Sequence, residues 1–170
     1  MYHPDKYQEH NEALDRLCTS FNKVAEGAGN QIYMESSKIE NFIDDGMIVY
    51  VPTNNKILYD FEKGHKYYDN CDFPFSDFGQ FERKIKKPEI LLSIQCSKDE
   101  KCFCIAWHED FKKEKLQRIG SITGSGDKEY SGKRFTTNFK EFKYDEMDIF
   151  YEVLLKAFTS NTFNSSCFQI

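Results

Sequence analysis

Cys96, Cys102, Cys104 and His108 bring three thiols and an imidazole into one short stretch, LLSIQCSKDEKCFCIAWH, which also holds the only tryptophan. Thiolate and imidazole donors in fours are the usual donor set of tetrahedral zinc. The spacing argues against that reading. Structural zinc sites use two cysteines within a tight knuckle, and Cys-x-Cys on a flat strand is a poor chelate. The simpler reading is a tight β-hairpin, residues 89–96 and 102–107, with buried strand cysteines. Phe103, Ile105 and Trp107 then share a core face. Cys102, Cys104, Ala106 and His108 share the other, which is either buried or the floor of a site.

A second constellation is built from carboxylates. Asp60 ends a β-rich run and Asp69 follows a turn at Gly64. A hairpin of this kind can bring two carboxylates within reach of one Mg²⁺ or Mn²⁺ ion. Glu9 or Glu12 on the first helix could join them. This layout, a helix acid, a strand Asp and an acid on the next strand, resembles the PD-(D/E)XK nuclease core over residues 58–71. The resemblance implies metal-dependent cleavage of nucleic acid. It also implies a lysine two residues after the acid on the second strand, and here Asp69-Asn70-Cys71 lacks it. Lys66 or Lys98 would have to substitute in space. Turn and strand-end carboxylates are the competing reading.

Three further patterns are weaker. His108-Glu109-Asp110 has the residue types for acid–base work. Neighbouring strand residues point to opposite faces, however, and no nucleophile lies nearby in sequence. The Gly-rich segment 120–134 fails the phosphate-loop pattern, because Gly132-Lys133 is followed by Arg134 and Asp127 stands where the first glycine belongs. It reads as a flexible surface loop. Phe78, Phe81, Arg83, Lys84, Lys86 and Lys87, with Lys112, Lys113 and Lys115, pair aromatics with cations as single-strand binders do. Only 4 of the 23 basic residues are arginine, which favours a solvated lysine face.

The elements that must position these residues follow from periodicity. Pro4 and Asp5 open a helix with Leu14, Leu17, Cys18, Phe21, Val24 and Ala25 on one face, and Gly27 stops it. Ser37 with Glu40 suggests a short second helix ending near Gly46. Residues 47–51 and 56–61 read as strands around the Pro52-Thr53-Asn54-Asn55 turn. Residues 65–70 form a third candidate strand, and 72–81 a packed aromatic loop. A helix over 111–119, a strand near Phe135, Thr137 and Phe139, and a last helix capped by Asp145 complete the chain. The inner face of that last helix is Met147, Phe150, Tyr151, Leu154, Ala157 and Phe158. The apolar ending Cys167-Phe168-Gln169-Ile170 suggests a docked terminus.

The pattern predicts one α+β domain over residues 1–170. It would be a central, mostly antiparallel sheet of about five or six strands with N- and C-terminal amphipathic helices packed on it. The chain has 170 residues and an apolar fraction of 39%, but 16 Phe and 10 Tyr compensate, each buried ring removing about 150–250 Å² from water. Net charge is −5, too mild for a DNA mimic and of the wrong sign for strong nucleic-acid binding. No apolar run is long enough to span a membrane, and the N-terminus lacks a signal-peptide core, so a cytoplasmic location with reduced cysteines is expected.

Each catalytic pattern lacks a residue. The expected function is therefore a small binding or regulatory protein, of which an inhibitor of a larger enzyme or complex is one form, with a protein partner and no cofactor. Phe75, Phe78, Arg83, Lys84, Lys133 and Arg134 are the candidate contacts, in loops where interface aromatics would lie. The alternative is a degenerate PD-(D/E)XK-type nuclease that binds nucleic acid and holds Mg²⁺ or Mn²⁺ at Asp60 and Asp69, with Glu12 and Lys98 assisting.

Overall fold

The computed structural model describes residues 4–37, 45–63, 89–113, 121–123, 129–131 and 138–169. Helix α1 (Pro4–Gly27) is followed by strands β1 (Ile32–Ser36), β2 (Gly46–Tyr50) and β3 (Asn55–Lys63). Strands β4 (Ile90–Cys96) and β5 (Cys102–Trp107) lead into a short helix α2 (His108–Lys113). Then come β6 (Ser121–Thr123), β7 (Glu129–Ser131), β8 (Lys140–Lys143), a 3₁₀ turn (Tyr144–Glu146) and helix α3 (Met147–Ser160). A second 3₁₀ turn (Ser165–Phe168) closes the described chain.

Six strands form one mixed sheet in the order β1-β2-β3-β4-β5-β8. Four of its five pairings are antiparallel, and β3–β4 is parallel. The expected α+β class and mostly antiparallel sheet are therefore present. The β2–β3 turn uses Asn54 with a positive φ of 59°, a conformation asparagine tolerates. In the β4–β5 turn, Ser97 Oγ accepts from the amides of Lys101 and Cys102 and donates to Asp99. That hairpin pairs Cys96 with Phe103 and Leu92 with Trp107.

The helices lie on one face. The predicted apolar face of α1 is buried apart from the partly buried Val24, and α3 buries all six predicted residues together with Val153. Rings interlock between the layers: Phe103 lies 5.1 Å from Phe150 and 5.3 Å from Phe142, and Phe21 lies 5.4 Å from Phe150. The terminus docks as expected. Cys167 is buried, Phe168 packs on the core, and the Lys156 ammonium donates to the Gln169 carbonyl.

Several elements differ from the sequence pattern. Strand β1 is announced by no clear alternation. Gly46 opens β2 instead of closing a helix, and residues 38–44 lie outside the described residues. Asp145 sits inside the 3₁₀ turn and does not cap α3. Instead Glu146 reaches back to accept from the Lys143 amide at 2.8 Å. The short helix begins at His108, and residues 114–119 of the predicted 111–119 helix lie outside the described residues. Part of the predicted loop 120–134 is a two-stranded antiparallel pair, β6–β7. The predicted strand 65–70 and aromatic loop 72–81 lie outside the described residues.

Candidate functional site

Strand β2 begins at Gly46, opposite Tyr59, while β3 runs on to Lys63. Just before β2, the Asp45 amide donates to the Tyr59 carbonyl at 3.0 Å, which sets Asp45 beside the Tyr59–Asp60 step of β3. At Phe61, two side chains bond the backbone of β3. Asp45 Oδ2 accepts from the Phe61 amide at 2.8 Å, and His10 Nε2 donates to the Phe61 carbonyl at 2.7 Å. A carbonyl only accepts, so this imidazole nitrogen carries its proton. The His10 ring also meets the Phe61 ring edge-on at 5.3 Å.

The Asp45 and Asp60 carboxyl groups are hydrogen-bonded to each other. Burial first, and then the charge of Asp60, push Asp45 up to about 7, against the opposing pull of the Phe61 amide and His10. Two carboxyls this close do not readily ionise together, and the pair tends to hold one proton between them.

The pair begins a polar row across the sheet. Ile57, Tyr59 and Phe61 of β3 belong to the helix-side core, so the alternate residues Leu58, Asp60 and Glu62 face away from the helices. On β4, Leu92, Ile94 and Cys96 face the helices, while Ser93 and Gln95 face away. The parallel register sets Asp60 beside Ser93 and Glu62 beside Gln95. Ser93 Oγ in turn shares a 2.7 Å hydrogen bond with His108 Nε2. That spacing is the one a nucleophile and its base adopt. With Ser93 1% and His108 2% exposed, the pair is an internal clamp that ties α2 to β4. The serine lies fifteen residues before the histidine, so adjacency in sequence could not bring it to notice.

The four proposed zinc ligands do not converge. Cys96 opposes Phe103 and faces the helices, whereas Cys104 opposes Gln95 on the other face with Cys102. The cause is the two-residue alternation of strand side chains. Among the described residues, no group of three or more His, Cys, Asp or Glu side chains is placed to hold a metal ion. All five described cysteines are buried thiols. Three of them face polar ring atoms: Cys18 lies 3.6 Å from the Tyr59 hydroxyl, Cys96 is next to the Tyr144 hydroxyl, and Cys167 is next to the Trp107 indole nitrogen. Burial pushes Cys18 up to about 11 and Cys96 up to about 12, which keeps both protonated and unreactive at neutral pH.

The remaining candidates separate. Glu12 is exposed on α1 and accepts from Gln8 at 3.0 Å. It stands two residues from His10, on another side of the helix, and so does not join the carboxyl pair. Lys98 is exposed in the β4–β5 turn, five residues past Ser93, or roughly 16 Å along an extended chain from the row beside Asp60. It does not replace a missing lysine. Lys63 is paired with Glu100 at 3.3 Å, and Arg16 meets the same carboxylate through two bonds of 2.7 Å. Asp69, Lys66, Phe75, Phe78, Arg83, Lys84, Lys133 and Arg134 lie outside the described residues.

Sequence reasoning missed Asp45. The Pro52-to-Asn55 turn fixes which residues of β2 and β3 oppose one another, but that ladder ends at Gly46 and Tyr59, one residue short of it. No helix among the described residues is long and apolar enough to cross a membrane. Compared with protein-family models, curated proteins and solved structures, the chain matches none at a significant level.

Proposed function

We propose that Asp45 and Asp60 form a divalent-cation centre for phosphodiester cleavage in nucleic acid. The observation that carries this reading is the hydrogen bond between the Asp45 and Asp60 carboxyl groups, beside the start of β2. Hard carboxylate oxygens are what Mg²⁺ and Mn²⁺ take, and Mg²⁺ commonly binds through only one or two carboxylates, with water and substrate phosphate completing its shell. A pair that shares a proton would exchange it for a cation, because full ionisation then becomes favourable. A bound cation would supply charge neutralisation at the phosphate and an activated water.

The reading keeps the two-acid logic of the PD-(D/E)XK resemblance but changes its members. The second carboxylate comes from before β2, as Asp45, and Asp69 is not needed. Two residues after Asp60 stands Glu62, not lysine. His10 has its Nε2 committed to the Phe61 carbonyl, so its part is to hold the strand edge.

The test is cleavage of single- and double-stranded DNA and RNA with Mg²⁺ or Mn²⁺, together with cation-induced change in melting temperature. The expected result is metal-dependent cleavage that falls at least about a hundredfold in Asp60→Asn, with loss of the metal-induced shift. A wild-type protein whose melting does not respond to either cation would sink the reading. The expected regulator acting through Phe75, Phe78, Arg83, Lys84, Lys133 and Arg134 concerns residues outside those described. Asp60→Ala would leave such partner binding intact, which separates the two readings.

A further inference from the structure

The net charge is unevenly placed. Helix α1, the 3₁₀ turn at 144–146 and helix α3 hold nine acidic and four basic residues, a net −5, while the remaining 19 acidic and 19 basic residues cancel. The whole negative charge of the protein therefore belongs to the helical layer. In that layer lies a groove of about 200 Å³ lined by Val24 and Ala28 of the α1 end and by Asp148, Ile149, Tyr151 and Glu152 of α3.

The groove is apolar inside and acidic at its rim. Ile149 is 37% exposed and lies against the partly buried Val24 across the groove. Asp148 and Glu152 stand one helical turn apart beside it. The floor is fixed, because Tyr151 is buried and its hydroxyl accepts from the Gln31 amide at 3.3 Å. Gln31 also accepts from the Val51 amide at 2.9 Å, and Val51 is 51% exposed. A second exposed aliphatic thus lies one residue's link away from the groove floor.

We infer that this groove docks a basic, amphipathic segment of a partner protein. One apolar side chain of that segment fills the space against Val24, Ile149 and Tyr151, and its lysines or arginines face Asp148 and Glu152. Charge complementarity selects this occupant. An acidic rim repels phosphate, which disfavours nucleic acid, and the net negative charge of the layer repels a second copy of itself. An apolar anchor flanked by complementary charge is how grooves between helices take amphipathic helices. The surface is separate from the Asp45–Asp60 pair and does not depend on its chemistry.

The experiment uses the full chain, labelled with ¹⁵N, and an 18-residue Leu/Lys helical peptide with one central Phe, alongside its Leu/Glu counterpart. Amide shift mapping gives the location and fluorescence anisotropy the affinity. The Lys peptide should move the amides of Val24, Ala28, Ile149 and Tyr151. Ile149→Gln and the double change Asp148→Asn with Glu152→Gln should each weaken it about tenfold, while Asp60→Asn leaves it unchanged. The Glu peptide should bind at least about tenfold more weakly. Shifts spread over the acidic surface, or an affinity within about twofold after Ile149→Gln, would overturn the inference, since only diffuse charge attraction would then remain.

Discussion

The two faces of the central sheet are made from alternate residues of the same strands, and they obey different rules. Towards the helices, Tyr59, Phe61, Leu92, Ile94, Cys96, Phe103, Ile105, Trp107 and Phe142 form one apolar cluster. Away from the helices, β3 presents Asp60 and Glu62, β4 presents Ser93 and Gln95, and the chain after β5 adds His108. Ser93, Gln95 and His108 are as thoroughly buried as the core on the other side. Burying polar groups costs free energy unless they are hydrogen-bonded. A strand set that could have been apolar on both faces instead carries a row of polar groups ending in a carboxyl pair. Burial alone therefore explains the helix-side face and leaves the other calling for a chemical reason.

The largest expected effect lies on the helix side. A Cβ at Gly46 would stand 2.1 Å from the Glu35 carbonyl oxygen and 2.3 Å from the Tyr59 hydroxyl, which itself donates to that carbonyl at 2.8 Å. The first contact is with backbone, which cannot step aside. Gly46→Ala should cost about 3 kcal/mol or more in urea unfolding, and a cost under about 1 kcal/mol would mean that β1 and β2 yield to admit the methyl group.

On the polar face, Ser93→Ala removes the partner of a buried imidazole nitrogen without opening a large cavity. The expected loss is about 1–3 kcal/mol. Ser93→Thr, which keeps the hydroxyl, should recover part of it. An Ala variant as stable as wild type would make the row no more demanding than ordinary core.

The smallest effect is also the most specific to the carboxyl pair. Asp45 rises from about 4 in an unfolded chain to about 7 when folded. The folded state thus holds a proton that the unfolded chain releases. The stabilisation from that proton is complete below about pH 4 and is lost as pH rises through about 7. Asp45→Asn keeps an oxygen for the Phe61 amide and imitates the protonated acid. In EDTA, thermal melts of wild type and variant should be close at pH 5, and the variant should gain about 1–2 kcal/mol over wild type by pH 8. Parallel pH profiles would show that Asp45 does not carry the shared proton.

Much of the fold was legible in the chain because it depends on neighbours in sequence. Helix α1, helix α3 and the β4–β5 hairpin were readable from spacing, since a 3.6-residue apolar repeat and a turn between two β-rich runs are local signals. Strand β1 was not, because five residues flanked by a Gly-rich turn carry too few positions to establish alternation. The candidate site divides the same way. Asp60 was singled out because it ends a β-rich run, with Asp69 beyond the next turn. Asp45, which bonds the Asp60 carboxyl, comes from the other side of β2 and is not a neighbour in sequence.

Composition and periodicity were enough to settle an aromatic α+β protein with amphipathic helices near both termini packed on a mostly antiparallel sheet. That Asp45 meets Asp60, that Ser93 meets His108, and that Cys96 turns away from Cys102 and Cys104 came from the folded arrangement alone. Each of these depends on strand register or on the parallel β3–β4 pairing. A shift of one residue in register exchanges the two faces of a strand, so no count of residue types along the chain can say which groups end up side by side.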